Sequence, residues 1–412
     1  MKISFICPSR NNLKYLRWSF DSIIKNRGTH SIEFCVWDDF SDDGTSEWCR
    51  ETESQSLDGV VFKWNRNDGP ARLGHTILYD KIVRELASND LCIIWHADMY
   101  LCPGALDAIE NLMFLKTKFN RPNFNRVVSL TRIEPPLHPP GKEKITRDFG
   151  TEPENFNEVA LLEDLKQYPL YLRRVEKDIP TKGVFAPWAF WRDEFLEIGG
   201  HDPLFAPQSK EDSDIWNRLL LNGVEFLQTW TGFVYHMTCR GSRFNPTLTT
   251  IGKNSSEWEE QNLRSTRNFI RKWGSMVKHD EYLHPIVPQK YNIGIVIKNC
   301  TWGLLYNLEP WCDHLKCDIE PELLDRYIEF EQFRTKFKLE EKLKKDPKPL
   351  PNIIVEIDGY NFDQVDMTNI TYLSDILTDS GNIGEYYIGN LKLNIKSLET
   401  YEKNLIVVQN EN

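Results

Sequence analysis

The sequence has no Cys-x-x-Cys pair, no apolar run near the length of a bilayer, no glycine-rich phosphate loop and no excess of positive charge. Each absence excludes something. The nine cysteines are scattered, and Cys7, Cys35 and Cys92 sit inside apolar runs where a reduced, buried thiol is expected. Their odd number and scatter speak for a reducing compartment rather than a disulfide framework, so a cytoplasmic location is expected. No apolar stretch approaches the roughly 20 residues that span a bilayer. The opening MKISFICPSRNN is interrupted by Ser4 and ended by Pro8 and Arg10, unlike a signal peptide, so a soluble chain with no targeting or transmembrane segment is expected. Neither G-x-G-x-x-G nor G-x-x-x-x-G-K-[ST] occurs, which removes the dinucleotide and P-loop phosphate devices. A net charge of −11 argues against a nucleic-acid or membrane-surface protein, leaving only local basic patches such as Arg240 with Arg243 and the stretch 264–272. Repeats and low-complexity tracts are also missing.

What is present is an ordinary globular composition, 40% hydrophobic and 27% charged, over 412 residues, enough for two or three domains. Short apolar runs at 3–7, 33–37, 60–64 and 91–95 read as strands. Between them, residues 13–26 carry Leu13, Leu16, Phe20, Ile23 and Ile24 at helical spacing, and 76–86 reads as another helix. This alternation predicts an α/β fold with a mainly parallel sheet flanked by helices, and ligands at the carboxyl ends of its strands. Those ends read PSRNN, WDDFSDD and HAD. The proline-rich stretch 133–158 lacks periodicity and is long for a plain loop; it is read as an active-site segment, an insertion or a linker. Helices are expected at 211–221 and 257–273, with a strand at 225–235 between them. Beyond Pro285 and Pro288 the character changes. A strand at 293–297, an acidic and lysine-rich helix at 321–345 and the strand NIIVEI predict a smaller α+β domain with no catalytic constellation, a candidate for oligomerisation or docking.

Several polar clusters sit where chemistry could occur. Asp38, Asp39, Asp42 and Asp43 follow a buried strand. They suit a capped, solvated turn, or a carboxylate that accepts a hydrogen bond from a nucleotide base or ribose. His96 and Asp98 are two apart at a strand end and so can face one ligand; the carboxylate suits Mg²⁺ or Mn²⁺ and the imidazole a softer ion. Glu211, Asp212 and Asp214 open a helix. There, acids favour the macrodipole, or one acts as a general base. His236 ends a strand ahead of Gly241, Arg240 and Arg243, a loop that could approach a phosphate or be plain surface.

The order of these stretches is more specific than any one of them. FICPSRNN, EFCVWDDFSDDGT, NDGPARLG, IIWHADMYLCPGAL, IGGHDPLF…KEDSDIWNRLLLNG and VYHMTCRGSRF together resemble the family-two glycosyltransferases of the GT-A fold, over about residues 1–275. The resemblance implies a glycosyltransferase domain at 1–285, with a nucleotide half to about 130 and an acceptor and catalytic half from 131, and an accessory domain at 286–412. It implies that Pro8, Arg10 and Asn11 line the nucleotide pocket. Asp39 would bond the base with Asp42 supporting its turn, and the stretch from Gly69 to Arg72 would run beside the ribose or diphosphate. Asp98 would bind a divalent metal, Mn²⁺ or Mg²⁺. Asp212 would be the general base, with Glu211 beside it on the acceptor side. His236 would be a further metal or diphosphate ligand. His96 stands where the family usually has an acid that meets ribose or metal-bound water, and Arg10 stands where Tyr is commoner. Trp188, Phe190 and Trp191 could pack on an acceptor sugar, or simply fill the core.

The reaction so implied is inverting transfer of a sugar from a nucleoside-diphosphate donor, by family weighting a UDP-sugar, to a hydroxyl of a glycan, lipid-linked or protein acceptor. Two other classes compete with it: a nucleotidyltransferase on a related sheet, and a non-catalytic sugar-binding protein that kept the fold.

Overall fold

The computed structural model describes residues 1–114, 125–174, 180–238 and 254–408, with the backbone alone over 168–174. The chain divides into two compact units. The first holds residues 1–259, 279–285 and the end of the chain from Val407; the second holds 260–278 and 286–406.

The first unit is built on one sheet. Its strands are β1 (Lys2–Ser9), β2 (Ser31–Asp39), β3 (Val60–Asn67), β4 (Leu91–Ile94), β5 (Met99–Leu101), β6 (Arg126–Glu134), β7 (Lys144–Thr146), β8 (Trp188–Trp191) and β9 (Glu225–His236). The order is β3-β2-β1-β4-β8-β6-β9-β5, with β7 on β6. β3, β2, β1 and β4 run parallel, as does β6 with β9. The sequence did not reveal that β8 enters antiparallel between β4 and β6 and that β5 lies antiparallel on β9. The central strands are buried on both faces and are therefore nearly continuous apolar runs. The helix Leu13–Asn26 lays Tyr15, Leu16, Phe20 and Ile23 against them. There Phe20, Phe34, Phe62 and Trp48 form a ring cluster with centroids 5.0–5.9 Å apart.

Two local devices fix the carboxyl edge of this sheet. Asp43 accepts from the amide of Leu13 at 2.9 Å and from that of Thr45 at 3.2 Å. One carboxylate thus serves unpaired first-turn amides of two helices, Leu13–Asn26 and Thr45–Glu53. Gly74, at φ 78°, precedes the helix His75–Lys81 and passes so close to Pro207 that a Cβ there would lie 2.3 Å from the Pro207 carbonyl oxygen. Only glycine suits both the conformation and the approach.

The stretch 133–158 is not structureless. It carries the end of β6, the short strand β7 and a turn of 3₁₀ helix at Pro153–Asn155 before the helix Glu158–Arg174.

The second unit has a five-stranded sheet, β11-β10-β12-β14-β13, formed by β10 (Ile293–Lys298), β11 (His314–Cys317), β12 (Ile353–Asp358), β13 (Gly384–Ile388) and β14 (Leu391–Ile395). The helix expected over 321–345 is in fact two, Pro321–Gln332 and Leu339–Lys344. The Gln332 side chain makes the break. Its amide nitrogen donates to the carbonyls of Thr335 and Phe337, and its oxygen accepts from the amide of Leu339 at 2.9 Å. The helix Ser256–Trp273 belongs to this unit from Glu260 on. Its Arg267 and Arg271 converge with Lys342 on the fully buried Glu309, and both arginines also reach Glu331.

Removing one partner of such a cluster leaves buried charge uncompensated, which costs about 3–5 kcal/mol. Glu309→Ala is expected to lower the stability of the full chain by that amount in urea denaturation followed by circular dichroism. An unchanged midpoint would contradict the role given to Glu309.

Candidate active site

The carboxyl ends of β1, β2, β4, β6 and β9 open on one cleft of about 480 Å³. Strand pairing decides which side chains meet there. Met99, directly after Asp98, is paired with His236, and Ile133, directly before Glu134, is paired with Tyr235. The Met237 amide also donates to the Asp98 carbonyl at 3.0 Å. Asp98, His236 and Glu134 are therefore set side by side by backbone ladders.

The side chains complete the pattern. His236 Nε2 lies 3.4 Å from Asp98 and its Nδ1 lies 2.8 Å from Glu134. Glu134 is held on its other side by Lys144 at 2.9 Å and Arg132 at 3.5 Å. Burial alone would favour a neutral His236, but the two carboxylates outweigh it and push its pKa up to about 9. Burial likewise opposes ionisation of Asp98 and Glu134. The His236 charge holds Asp98 below the usual carboxylate range, and Arg132, His236 and Lys144 do the same for Glu134. His96 faces the same space, its ring centroid 5.8 Å from that of His236, and burial lowers its pKa to about 4, so it is neutral. Ligand atoms of His96, Asp98 and His236 lie within 4.8 Å of one another. Two imidazoles and a carboxylate are a donor set for a divalent cation of borderline hardness.

On the opposite wall the helix Glu211–Leu221 begins after Ser209 and Lys210, both with positive φ, 80° and 71°. Non-glycine residues rarely adopt this conformation, and it turns the first residues of the helix into the cleft. Glu211 pairs with His75 Nε2 at 2.9 Å, and the His75 contacts outweigh burial to keep Glu211 charged. Asp212, next to it, has no such partner among the described residues; burial and the Glu211 charge push its pKa up to about 6.

The acidic turn divides its labour. Asp39 is buried and faces the cleft. It accepts from the amides of Leu73 and Gly74 at 3.0 and 2.9 Å and from Asn67 at 2.8 Å, and so holds the loop that carries Arg72. Asp38 is buried outside the cleft, where it accepts from the Ser41 amide at 3.1 Å. Asp42 is exposed, and its backbone amide bonds the Asn11 side chain.

Of the residues singled out in the sequence, Pro8, Arg10, Asp39, Arg72, His96, Asp98, Glu211, Asp212 and His236 line the cleft together. Asn11, Asp42 and Gly69 lie outside its lining. Asn11 braces the turn with Ser41 and Asp42, and Gly69 packs under the Phe40 ring. The aromatic acceptor platform is not formed. Trp188 is fully buried against Phe190 in the core, and Trp191 meets Phe114 in a shallow recess with Met1 and Lys2. Arg240, Gly241 and Arg243 lie outside the described residues. Sequence reasoning missed Arg132, Glu134, His138, Lys144, His75, Tyr79 and Trp258, which also line the cleft. The signal for Glu134 was there: RVVSLTRIE is an apolar strand ending in a charged residue, like the other three strand ends.

This geometry can be set against known proteins. Residues 4–108 match the family model described as Glycosyl transferase family 2. The expected resemblance is thus found, and it supports a glycosyltransferase. No curated protein matches the chain. Among solved structures the chain is similar to GalNAc-T7 with UDP, GalNAc and Mn²⁺, at 14% identity and TM-score 0.44, over 65% of this chain and 48% of that one. It is also similar to the mannosyltransferase PcManGT from Pyrobaculum calidifontis with GDP-Man and Mn²⁺, at 16% identity and TM-score 0.38, over 57% and 56%. A third is S. aureus TarS, at 13% identity and TM-score 0.40, over 58% and 37%. The chain thus spans between about a third and just over half of the length of these proteins. No helix among the described residues is long and apolar enough to cross a membrane.

Asp39→Ala would strand two loop amides and the Asn67 amide, and is expected to cost about 2–4 kcal/mol of stability. The exposed Asp42→Ala should stay within about 0.5 kcal/mol. Denaturant midpoints of the two variants check the contrast.

Proposed function

We propose that the first unit transfers a sugar from a nucleoside-diphosphate sugar, by family weighting a UDP-sugar, to a hydroxyl of a glycan, lipid-linked or protein acceptor, with inversion. The observation that carries this is the placement of a raised-pKa carboxylate, Asp212, across one cleft from the His96, Asp98 and His236 group. A general base for a hydroxyl works best with a pKa near the operating pH and must be ionised to accept the proton. Asp212 meets both conditions just above pH 6 because Glu211, tied to His75, keeps the neighbouring charge.

Asp39 and the loop it holds at Leu73 and Gly74 form the nucleotide side, with Arg10 and Arg72 supplying positive charge to the diphosphate. His96, Asp98 and His236 would hold Mn²⁺ or Mg²⁺, the mixed nitrogen and oxygen donors favouring Mn²⁺. Such an ion supplies positive charge where the leaving diphosphate gathers negative charge. Glu134 fixes the His236 ring by its Nδ1 contact and so directs Nε2 toward Asp98. With a single base opposite the leaving group, attack is in line and the anomeric configuration inverts. The domain boundary near residue 285, with an accessory role for the rest, and a cytoplasmic setting belong to the same reading.

Asp212→Asn should abolish transfer by roughly 10²–10⁴-fold while donor affinity stays. A non-catalytic binder would show no transfer to lose. In the wild type, kcat/KM should fall about tenfold per unit as the pH drops below about 6. In thermal-shift measurements a nucleotide sugar with Mn²⁺ should raise the melting temperature by mass action. If none of a panel does so, the donor assignment fails. Glu134→Gln should weaken Mn²⁺ affinity about 10–100-fold by calorimetry, because His236 loses its orienting partner.

A further inference from the structure

The second unit contains a cavity of about 1140 Å³ that the transfer reaction does not use. Typical small-molecule sites measure about 300–1,000 Å³, so this one has room for a nucleotide-sized ligand. Its lining holds six cationic side chains, Arg271, Lys336, Lys338, Lys342, Lys345 and Lys348, against the four carboxylates of Asp313, Glu341, Asp346 and Glu399. This occurs in a chain whose net charge is −11.

Two members of the buried ion cluster, Arg271 and Lys342, reach the cavity wall. Arg267, Arg271 and Lys342 are 7%, 3% and 9% exposed and face only two buried carboxylates, Glu309 and Glu331. The neighbouring Lys290 is matched by Asp313 at 3.1 Å. One positive charge is therefore left over, and the cavity is the side from which a counter-ion could reach it. Lys342 Nζ donates to the carbonyl and the carboxylate of Glu309, at 2.6 and 2.8 Å, which uses two of its three protons. Arg271 Nη1 makes one hydrogen bond, to Asn268, and keeps a second proton uncommitted. Both side chains line the cavity.

The acids of the lining do not cancel this excess. Asp313 is taken by Lys290 and by the Tyr401 hydroxyl at 2.6 Å. Glu341 sits between Lys338 and Lys345, at 4.0 and 3.4 Å. Asp346 and Glu399 are exposed, where water and salt screen them. At the rim, exposed Lys336 and Lys348 have no carboxylate within ion-pair distance among the described residues. Phe337, Asn352 and Asn404 add an apolar face and amides suited to the rest of a polar molecule.

We infer that this cavity is a binding site for a phosphate-bearing small molecule, with the phosphate against Arg271 and Lys342 and the rim lysines around it. The ligand is a dianion carried on a sugar or nucleoside, or inorganic pyrophosphate; the shared chemistry is the phosphate. The inference does not depend on the donor cleft or on a metal.

The test is titration calorimetry on the full chain, in EDTA, with glucose 6-phosphate, UMP and inorganic pyrophosphate as separate probes. At least one should bind saturably and lose affinity as salt is raised. Glucose and uridine at the same concentrations should not bind. Lys336→Glu combined with Lys348→Glu alters exposed side chains only; it should leave the melting curve unchanged and weaken the bound probe tenfold or more. Asp98→Asn, in the other unit, should leave this binding intact. The probe that binds identifies the carrier of the phosphate. The proposal is overturned if none of the three binds, if the neutral probes bind equally, if the double variant binds as the wild type does, or if Asp98→Asn abolishes binding. No transfer is measured, so failure here is separable from failure of the glycosyltransferase reading.

Discussion

Alternation of charge at the strand ends is the constraint on which the cleft depends. Asp98, His236, Glu134 and Lys144 form a chain of opposite signs, each half-buried or buried and each within 3.4 Å of the next. Placed singly, Asp98, Glu134 or His236 would be pushed toward its neutral form by desolvation. Placed together by the β5–β9 and β6–β9 ladders, they keep one another ionised. The backbone pairing thus does more than position side chains; it decides their protonation. Asp212 is held apart from this chain, with an acid as its nearest charged neighbour, and so responds in the opposite direction. Two carboxylates of one cleft, Asp98 and Asp212, are in this way shifted in opposite directions.

The second unit uses the same physics in a buried cluster. Glu309 is ringed by donors from three helices, and its ionisation is secured by Lys342 and Arg271 against complete burial. The difference lies in the sum of charges. In the cleft the cations and anions alternate out to the surface, where water takes over; in the second unit the cluster is closed on one side and ends one anion short on the other.

Much of this was legible in the sequence. Apolar runs ending in polar residues marked β1, β2 and β4 and placed Asp39, Asp98 and His236 at strand ends, because parallel strands buried on both faces leave a near-continuous apolar pattern; Asp212 was marked instead by the acidic start of a helix. What was not legible shares a cause: it depends on partners far away in the chain. The antiparallel entry of β8 looks like any other aromatic run, so Trp188 and Trp191 suggested a platform when they serve the core and the opposite edge of the sheet. Glu134 was hidden in a proline-rich stretch that has no period of its own. The helix over 321–345 keeps an unbroken polar character, and only the Gln332 side chain, bonded across its own turn, reveals the break. Asp38, Asp39, Asp42 and Asp43 are alike in composition and differ only in what the fold brings to each.

Asp43 has a consequence for how the chain reaches this state. The helices Leu13–Asn26 and Thr45–Glu53 are separated by β2, yet both begin on the same carboxylate. The Thr45 contact is local to its own turn, but Leu13 has its first-turn amide satisfied only once the turn after β2 has closed against the loop after β1. Starting a helix is the costly step in forming one, since several dihedrals are fixed for a single bond. The shared carboxylate therefore makes the start of the Leu13–Asn26 helix wait on the β1–β2 pairing, while the Thr45–Glu53 helix carries its starting contact in its own turn.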